Sequence, residues 1–153
     1  MRESIEMPRG IFYIIVGICA AIIMFTSIDI LFRTKDTALY EMWLSGTNFP
    51  TEFLNQTPQE LYSTYIHMNI SIFFVRVAAP MSMAIHTYFT LVKFRVNKLY
   101  VVLWSLILVA SFAMTTLGEP FYSIFFILSA IGYLALIVTL INLGKCLYNV
   151  RSI

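Results

Sequence analysis

Arg76 is the residue of this chain whose type and position most clearly point to chemistry. It lies near the middle of an apolar stretch from Ile66 to Val92. A charged side chain at bilayer depth costs roughly 2.5–3.5 kcal/mol on insertion scales, and it usually faces a bundle interior or a wet cavity. The sequence therefore favours an intramembrane site around Arg76, where the guanidinium binds a small polar, anionic or lipid-like ligand.

Polar side chains recur on the same helix face as Arg76. Asn69, Arg76, Met83 and Thr90 are spaced seven residues apart, which places them on one helical stripe. A polar stripe on a membrane helix should face protein or water and not lipid. Asn69 is therefore predicted to belong to the same ligand-binding site.

Two carboxylates are candidates to lie near Arg76. Asp29 is about one turn from the end of the first apolar segment, and the long arginine side chain can extend outward to meet it. Glu119 falls in the short turn between the third and fourth segments. It is either a solvated turn residue or a charge at the mouth of a cavity that holds Arg76 and Asp29. The alternative to a binding role is a structural arginine, paired with an internal carboxylate or extending to an interface.

The two histidines do not form a shared metal site. His67 and His86 lie 19 residues apart on one predicted helix, a separation of about 28 Å at 1.5 Å per residue. A haem with a methionine as the other axial ligand is the alternative, but histidines at the membrane interface are favoured. No metal, no cofactor and no catalytic residue is predicted, because no nucleophile motif, phosphate loop or metal-ligand spacing occurs.

These residues must be positioned by helices that cross a membrane. Of the 153 residues, 59% are hydrophobic and 12% are charged, whereas a soluble domain has about 25% charged residues. The chain is expected to be one all-α domain, residues 1–153, that forms a bundle of four transmembrane helices in a lipid bilayer. The predicted spans are about residues 10–32, 66–92, 99–118 and 121–144.

Local signals mark several helix ends. Thr57, Pro58 and Glu60 are spaced as in a capping box with proline at the first helical position. Asp36 is placed to cap a short helix from Thr37 to Ser45 that Gly46 ends. The sequence does not determine whether the second spanning helix is broken at Pro80.

The distribution of basic residues predicts the orientation. Seven lie on the side of the termini and two on the other side, and the positive-inside rule then places both termini in the cytoplasm. The seven are Arg2, Arg9, Lys93, Arg95, Lys98, Lys145 and Arg151, and the two are Arg33 and Lys35. The larger outer loop is predicted over about residues 33–65.

Three functions remain open. In the first, the protein binds or transports a ligand at Asp29, Asn69, Arg76 and Glu119. In the second, it is a non-catalytic accessory subunit whose Arg76 pairs with a partner's carboxylate. In the third, it is a membrane enzyme or electron carrier that acts on a lipid or quinone through one of the histidines.

Partners are expected within the membrane. Four short helices barely enclose a cavity, which favours a homo-oligomer or a complex with another membrane subunit. The small-residue pairs Gly17/Ala21 and Ala78/Ser82 allow close helix approach, inside the bundle or between chains. No basic cluster indicates a nucleic-acid partner.

Overall fold

The computed structural model describes residues 4–46, 56–93, 95–117 and 123–149, and these are almost entirely helical. The elements are β1 (Ser4–Ile5), α1 (Arg9–Lys35), α2 (Thr37–Gly46), α3 (Pro58–Val92), β2 (Val96–Asn97), α4 (Lys98–Thr116) and α5 (Ile124–Asn149). Four helices, α1, α3, α4 and α5, are long and apolar enough to cross a membrane. The chain therefore has the helices of a membrane protein.

Two helix ends differ by about three residues from the predicted bounds. The outer loop was predicted to begin at Arg33, but α1 continues to Lys35 and Arg33 is a buried helical residue. The fourth span was predicted to begin at residue 121, but α5 begins at Ile124. The Ser123 hydroxyl oxygen accepts a hydrogen bond from the backbone amide of Phe126 at 3.0 Å, and a serine in this position caps a helix N-terminus.

Helix ends follow the capping signals. Thr57 and Glu60 form the predicted capping box, with the Thr57 amide 2.7 Å from Glu60 Oε2. Asp36 Oδ1 accepts from the amide of Ala38 at 2.9 Å at the start of α2. Asn97, which the sequence analysis did not single out, caps α4 by accepting from the Tyr100 amide at 2.8 Å. Each cap satisfies a backbone donor that the first helical turn leaves unpaired.

Helix α1 occupies the central position, since it packs against both α3 and α5, while α4 packs mainly against α5. Helices α1 and α5 approach closely at Gly132, where an added Cβ atom would lie 2.6 Å from Ile22 Cγ1. Large apolar side chains such as Phe74 and Leu106 are exposed on the outside of the bundle. An outer surface of apolar side chains is suited to contact with lipid.

The N-terminal segment forms a strand pair with the connection between α3 and α4. Strand β1 pairs antiparallel with β2, with Ser4 opposite Asn97 and Ile5 opposite Val96. Val96 of β2 and Met7, which follows β1, are both buried. We call this end of the bundle, where α1 begins and α5 ends, the terminal end, and the opposite end, which carries α2, the loop end.

Helix α3 passes through Pro80 without interruption. Proline has no N–H, so the carbonyl oxygen of Arg76, four residues earlier, lacks its helical donor. The Tyr133 hydroxyl from α5 donates to that oxygen at 2.6 Å. An interhelical hydrogen bond thus replaces the missing backbone bond, which explains how the helix stays continuous at the proline.

Candidate ligand-binding site

Arg76 and Asp29 form a buried ion pair between α3 and α1. Arg76 Nη1 lies 3.1 Å from Asp29 Oδ2, and the Asp29 side chain is 1% exposed. Asp29 was one of the two carboxylates that the sequence offered as neighbours of Arg76, and the structure places the two residues in contact. The pairing matters because a buried charge without a partner is costly, whereas a close and well hydrogen-bonded pair offsets much of that cost.

Two further side chains complete the surroundings of the Asp29 carboxylate. Arg33, one turn further along α1, donates from Nε to Oδ2 at 3.0 Å, as residues four apart on a helix can. The Ser123 hydroxyl donates to the other carboxylate oxygen, Oδ1. Asp29 thus accepts hydrogen bonds from α1, from α3 and from the residue that precedes α5. Hydrogen bonds to an ionised group are stronger than those between neutral groups. We call Asp29, Arg33, Arg76 and Ser123 the ion-pair cluster.

Helix α5 fixes the position of Arg76 in two more ways. The guanidinium carbon Cζ lies 5.2 Å from the centroid of the Phe126 ring, within the range of a cation–π contact. The Tyr133 hydroxyl holds the Arg76 backbone carbonyl, as described above. Side chains from α1 and α5 therefore hold both ends of this residue, its guanidinium and its carbonyl.

The ion-pair cluster lies between two clefts in the loop-end half of the bundle. A cleft of about 550 Å³ beside α1, α2 and α5 is lined by Asp29, Arg33 and Ser123, with Phe32 and Phe125 among its apolar residues. A second cleft, of about 340 Å³, lies between α3 and α4 and is lined by Arg76. We call the second the α3–α4 cleft. Asp29 and Arg33 of the cluster therefore line the first cleft, and Arg76 lines the second.

The predicted stripe on α3 is buried, as expected for a polar face that avoids lipid. Asn69, Arg76, Met83 and Thr90 are all at most 6% exposed. However, the Asn69 carboxamide donates to the backbone oxygen of Tyr65 at 2.9 Å, on its own helix. Asn69 is therefore buried two turns from Arg76 without bonding to the ion-pair cluster. Glu119 lies outside the described residues.

Sequence reasoning missed Arg33, Ser123, Phe126 and Tyr133. A signal existed for Arg33, since its spacing of four from Asp29 places both on one helix face. A signal also existed for Tyr133, because Pro80 leaves a carbonyl oxygen that needs a donor from elsewhere. Nothing in the sequence identified the donor itself, which depends on the rotation of α5 about its axis.

The two histidines lie apart on α3, and their hydrogen bonds indicate which ring nitrogens are available to bind a metal. His67 is exposed and its Nδ1 lies 2.7 Å from the Ser63 backbone oxygen. His86 Nδ1 lies 2.8 Å from Trp104 Nε1, and an indole nitrogen can only donate. The His86 proton must then sit on Nε2, whereas a neutral histidine that binds a metal through Nε2 carries its proton on Nδ1. This bond opposes haem ligation by His86.

The Arg76–Asp29 contact is the internal ion pair that a structural arginine would form, and the same guanidinium chemistry can bind an anionic ligand. A guanidinium presents N–H donors in a plane that matches carboxylate and phosphate oxygens. Within the described ranges, no group of three His, Cys, Asp or Glu residues is arranged to hold a metal ion.

No protein-family model, curated protein or solved structure matches this chain.

Proposed function

We propose that this chain is a small membrane protein that binds or translocates a ligand with a polar or anionic head and a lipid-like body, at an intramembrane site around Arg76. One observation carries the proposal. The Arg76 guanidinium, held against Asp29, is also part of the lining of the α3–α4 cleft. A buried cation that borders a cleft can meet a ligand without unfolding of the bundle.

The lining of the α3–α4 cleft fits an amphiphile. Most of its side chains are apolar, and Arg76 supplies the charged group. The apolar residues are Met68, Ile72, Val75, Met114 and Leu117, and the small polar ones are Ser71 and Thr115. A small number of polar groups in a mainly apolar pocket is the usual composition of a ligand site, and 340 Å³ is at the low end of the range of about 300–1,000 Å³. The anionic head of the ligand would lie at Arg76 and its chain along the methionines.

Exchange of partners gives a mechanism for binding. An incoming carboxylate or phosphate replaces Asp29 as the acceptor for Arg76 Nη1, while Arg33 and Ser123 continue to hold Asp29. The Asp29 charge is therefore never left without a donor, which keeps the cost of exchange low. For translocation, the same separation of Arg76 from Asp29 would join the two clefts. Asp29 would then belong to the site as the group that the ligand displaces.

Photo-crosslinking tests the proposal. Diazirine-labelled palmitate is added to the protein in nanodiscs, and the crosslinked peptides are identified by mass spectrometry. Val75→Trp fills the α3–α4 cleft, and Ile85→Trp is its control, since both residues lie on α3 and are 57% and 52% exposed. We expect crosslinks near Val75 and Met114 that Val75→Trp removes and Ile85→Trp preserves. Equal crosslinking of the two variants would refute the proposal.

Both termini are proposed to be cytoplasmic. Basic residues at the terminal end support this orientation by the positive-inside rule. Cys146 provides a native reporter because it is exposed near the end of α5, whereas Cys19 is buried. A membrane-impermeant maleimide should label Cys146 only after the cells are permeabilised. Labelling of Cys146 in intact cells would show that the termini have the opposite orientation.

An accessory role or a homo-oligomer is the second candidate, and the position of the small residues favours it. Gly17, Ala78 and Ser82 are exposed on the outside of the bundle, and no side chain lies within 4 Å of a Cβ added at Gly17. Small residues on a lipid-facing surface allow another helix to approach. Single-molecule photobleaching tests this: Gly17→Leu should shift an oligomer toward monomers, and a wild-type monomer would exclude a homo-oligomer.

A further inference from the structure

A third cleft with a distinct composition lies at the terminal end of the bundle, far along α3 from Arg76. It has a volume of about 540 Å³, and its lining includes Arg9, Lys93 and Arg95 together with Glu6 and Thr90. Among the described residues, three cations and one carboxylate therefore surround this space. We call it the basic cleft.

Pairing of the two strands builds the basic cleft. The β1–β2 pair holds the N-terminal segment against the connection that follows α3, and the buried Met7 and Val96 anchor both sides. Arg9 then begins α1 on one side, and Lys93 and Arg95 follow the end of α3 on the other. The three cations come from two distant parts of the sequence and are brought together by tertiary structure.

The charges in the basic cleft are not balanced by the ion pair that it contains. Arg95 Nη2 lies 3.8 Å from Glu6 Oε1, and these side chains are 65% and 87% exposed. An exposed pair at this distance is weak. Neither Arg9 nor Lys93 forms an ion pair within the described part of the chain. Like charges held around one space attract an anion.

The depth of the basic cleft indicates the kind of anion. Arg9 is the first residue of α1 and Lys93 follows the last residue of α3, so the cations lie where two membrane-spanning helices leave the apolar layer. Lipid phosphates occupy this level, and basic pockets between membrane helices bind anionic headgroups. Arginine also matches the geometry of phosphate oxygens. We propose that the basic cleft binds a phosphate group, supplied by an anionic lipid headgroup at this face of the membrane.

The experiment uses the full chain in nanodiscs of phosphatidylcholine alone or with phosphatidic acid, and native mass spectrometry counts the lipids retained. Arg9→Gln and Lys93→Gln each remove one charge from the basic cleft. Lys145→Gln removes one from an exposed position on α5 at the same end, outside the cleft lining. We expect retention of phosphatidic acid to fall about fivefold for each cleft variant, as about 1 kcal/mol per surface basic residue implies, and to stay unchanged for Lys145→Gln.

Inorganic phosphate distinguishes the source of the ligand. If a millimolar excess of inorganic phosphate displaces phosphatidic acid from the wild type, the site recognises phosphate from either source. If it does not, the site requires the lipid. Equal effects of the cleft variants and Lys145→Gln, or equal retention of phosphatidylcholine and phosphatidic acid, would overturn the inference. These variants leave the α3–α4 cleft intact, so the result is independent of the function proposed for Arg76.

Discussion

The hydrogen bond from Tyr133 to the Arg76 carbonyl permits a strict test, because its energetic role depends on Pro80. In the wild type, Pro80 offers no N–H to this oxygen, and the Tyr133 hydroxyl at 2.6 Å is the donor. Tyr133→Phe therefore removes this hydroxyl donor from a buried carbonyl that Pro80 already deprives of its helical N–H. Pro80→Ala supplies a backbone N–H at position 80, which can close the ordinary helical bond to Arg76.

The magnitude follows from the cost of an unsatisfied buried acceptor. Such a group costs about 1–3 kcal/mol, while interhelical hydrogen bonds in membrane proteins average about 0.6 kcal/mol and reach about 1.7. We expect Tyr133→Phe to destabilise the protein by about 1–2 kcal/mol, near the top of the membrane range, because proline removes the local alternative. In the Pro80→Ala background the same change should cost less than about 0.5 kcal/mol, as an ordinary substitution does.

Reversible unfolding in mixed micelles, followed by circular dichroism, measures the four free energies of this double-mutant cycle. Tyr13→Phe serves as the control, since Tyr13 is 69% exposed, and it should change stability by no more than about 0.5 kcal/mol. A coupling energy of about 1 kcal/mol between positions 80 and 133 is expected. An equal cost of Tyr133→Phe in both backgrounds would refute the account of the uninterrupted helix.

Four further changes have defined outcomes in the same unfolding assay. Gly132→Ala should destabilise by about 1–3 kcal/mol, because its Cβ would lie 2.6 Å from the buried Ile22. Gly17→Ala, which meets open space, should be neutral or stabilising by up to about 1 kcal/mol, and equal effects of the two would contradict this packing. Asn97→Ala should cost about 1 kcal/mol by loss of the α4 cap, and no loss would show that the cap is not formed. Asp29→Asn should cost about 3–5 kcal/mol because two buried guanidiniums lose their shared carboxylate, and an unchanged stability would exclude the buried ion pair.

The parts of the fold that the sequence predicted rest on strong local or one-dimensional signals. Long uncharged segments mark helices that can span a membrane. Polar residues at intervals of seven identify the buried face of α3, and the spacing of Thr57 and Glu60 marks where α3 begins. The Arg76–Asp29 pair could be predicted because buried charges require partners and the apolar segments contain few carboxylates.

The remaining features depend on tertiary structure. Helix α5 is apolar on all sides, so its sequence does not indicate which face turns inward. The contacts of Ser123, Phe126, Gly132 and Tyr133 all follow from that rotation. The β1–β2 pair consists of two residues on each side, too few to show an alternating pattern. The basic cleft that this pair assembles was therefore visible in the sequence only as scattered positive charges.

Native mass spectrometry of the chain, extracted from its own membrane into nanodiscs, tests the central claim most directly. We expect one small amphiphilic molecule to be retained per chain, to be lost with Val75→Trp and to be kept with Ile85→Trp. A wild-type chain that retains no small molecule, or one whose bound molecule is unaffected by Val75→Trp, would contradict a ligand site at Arg76. A fixed ratio with a second polypeptide and no small molecule would instead support the accessory role.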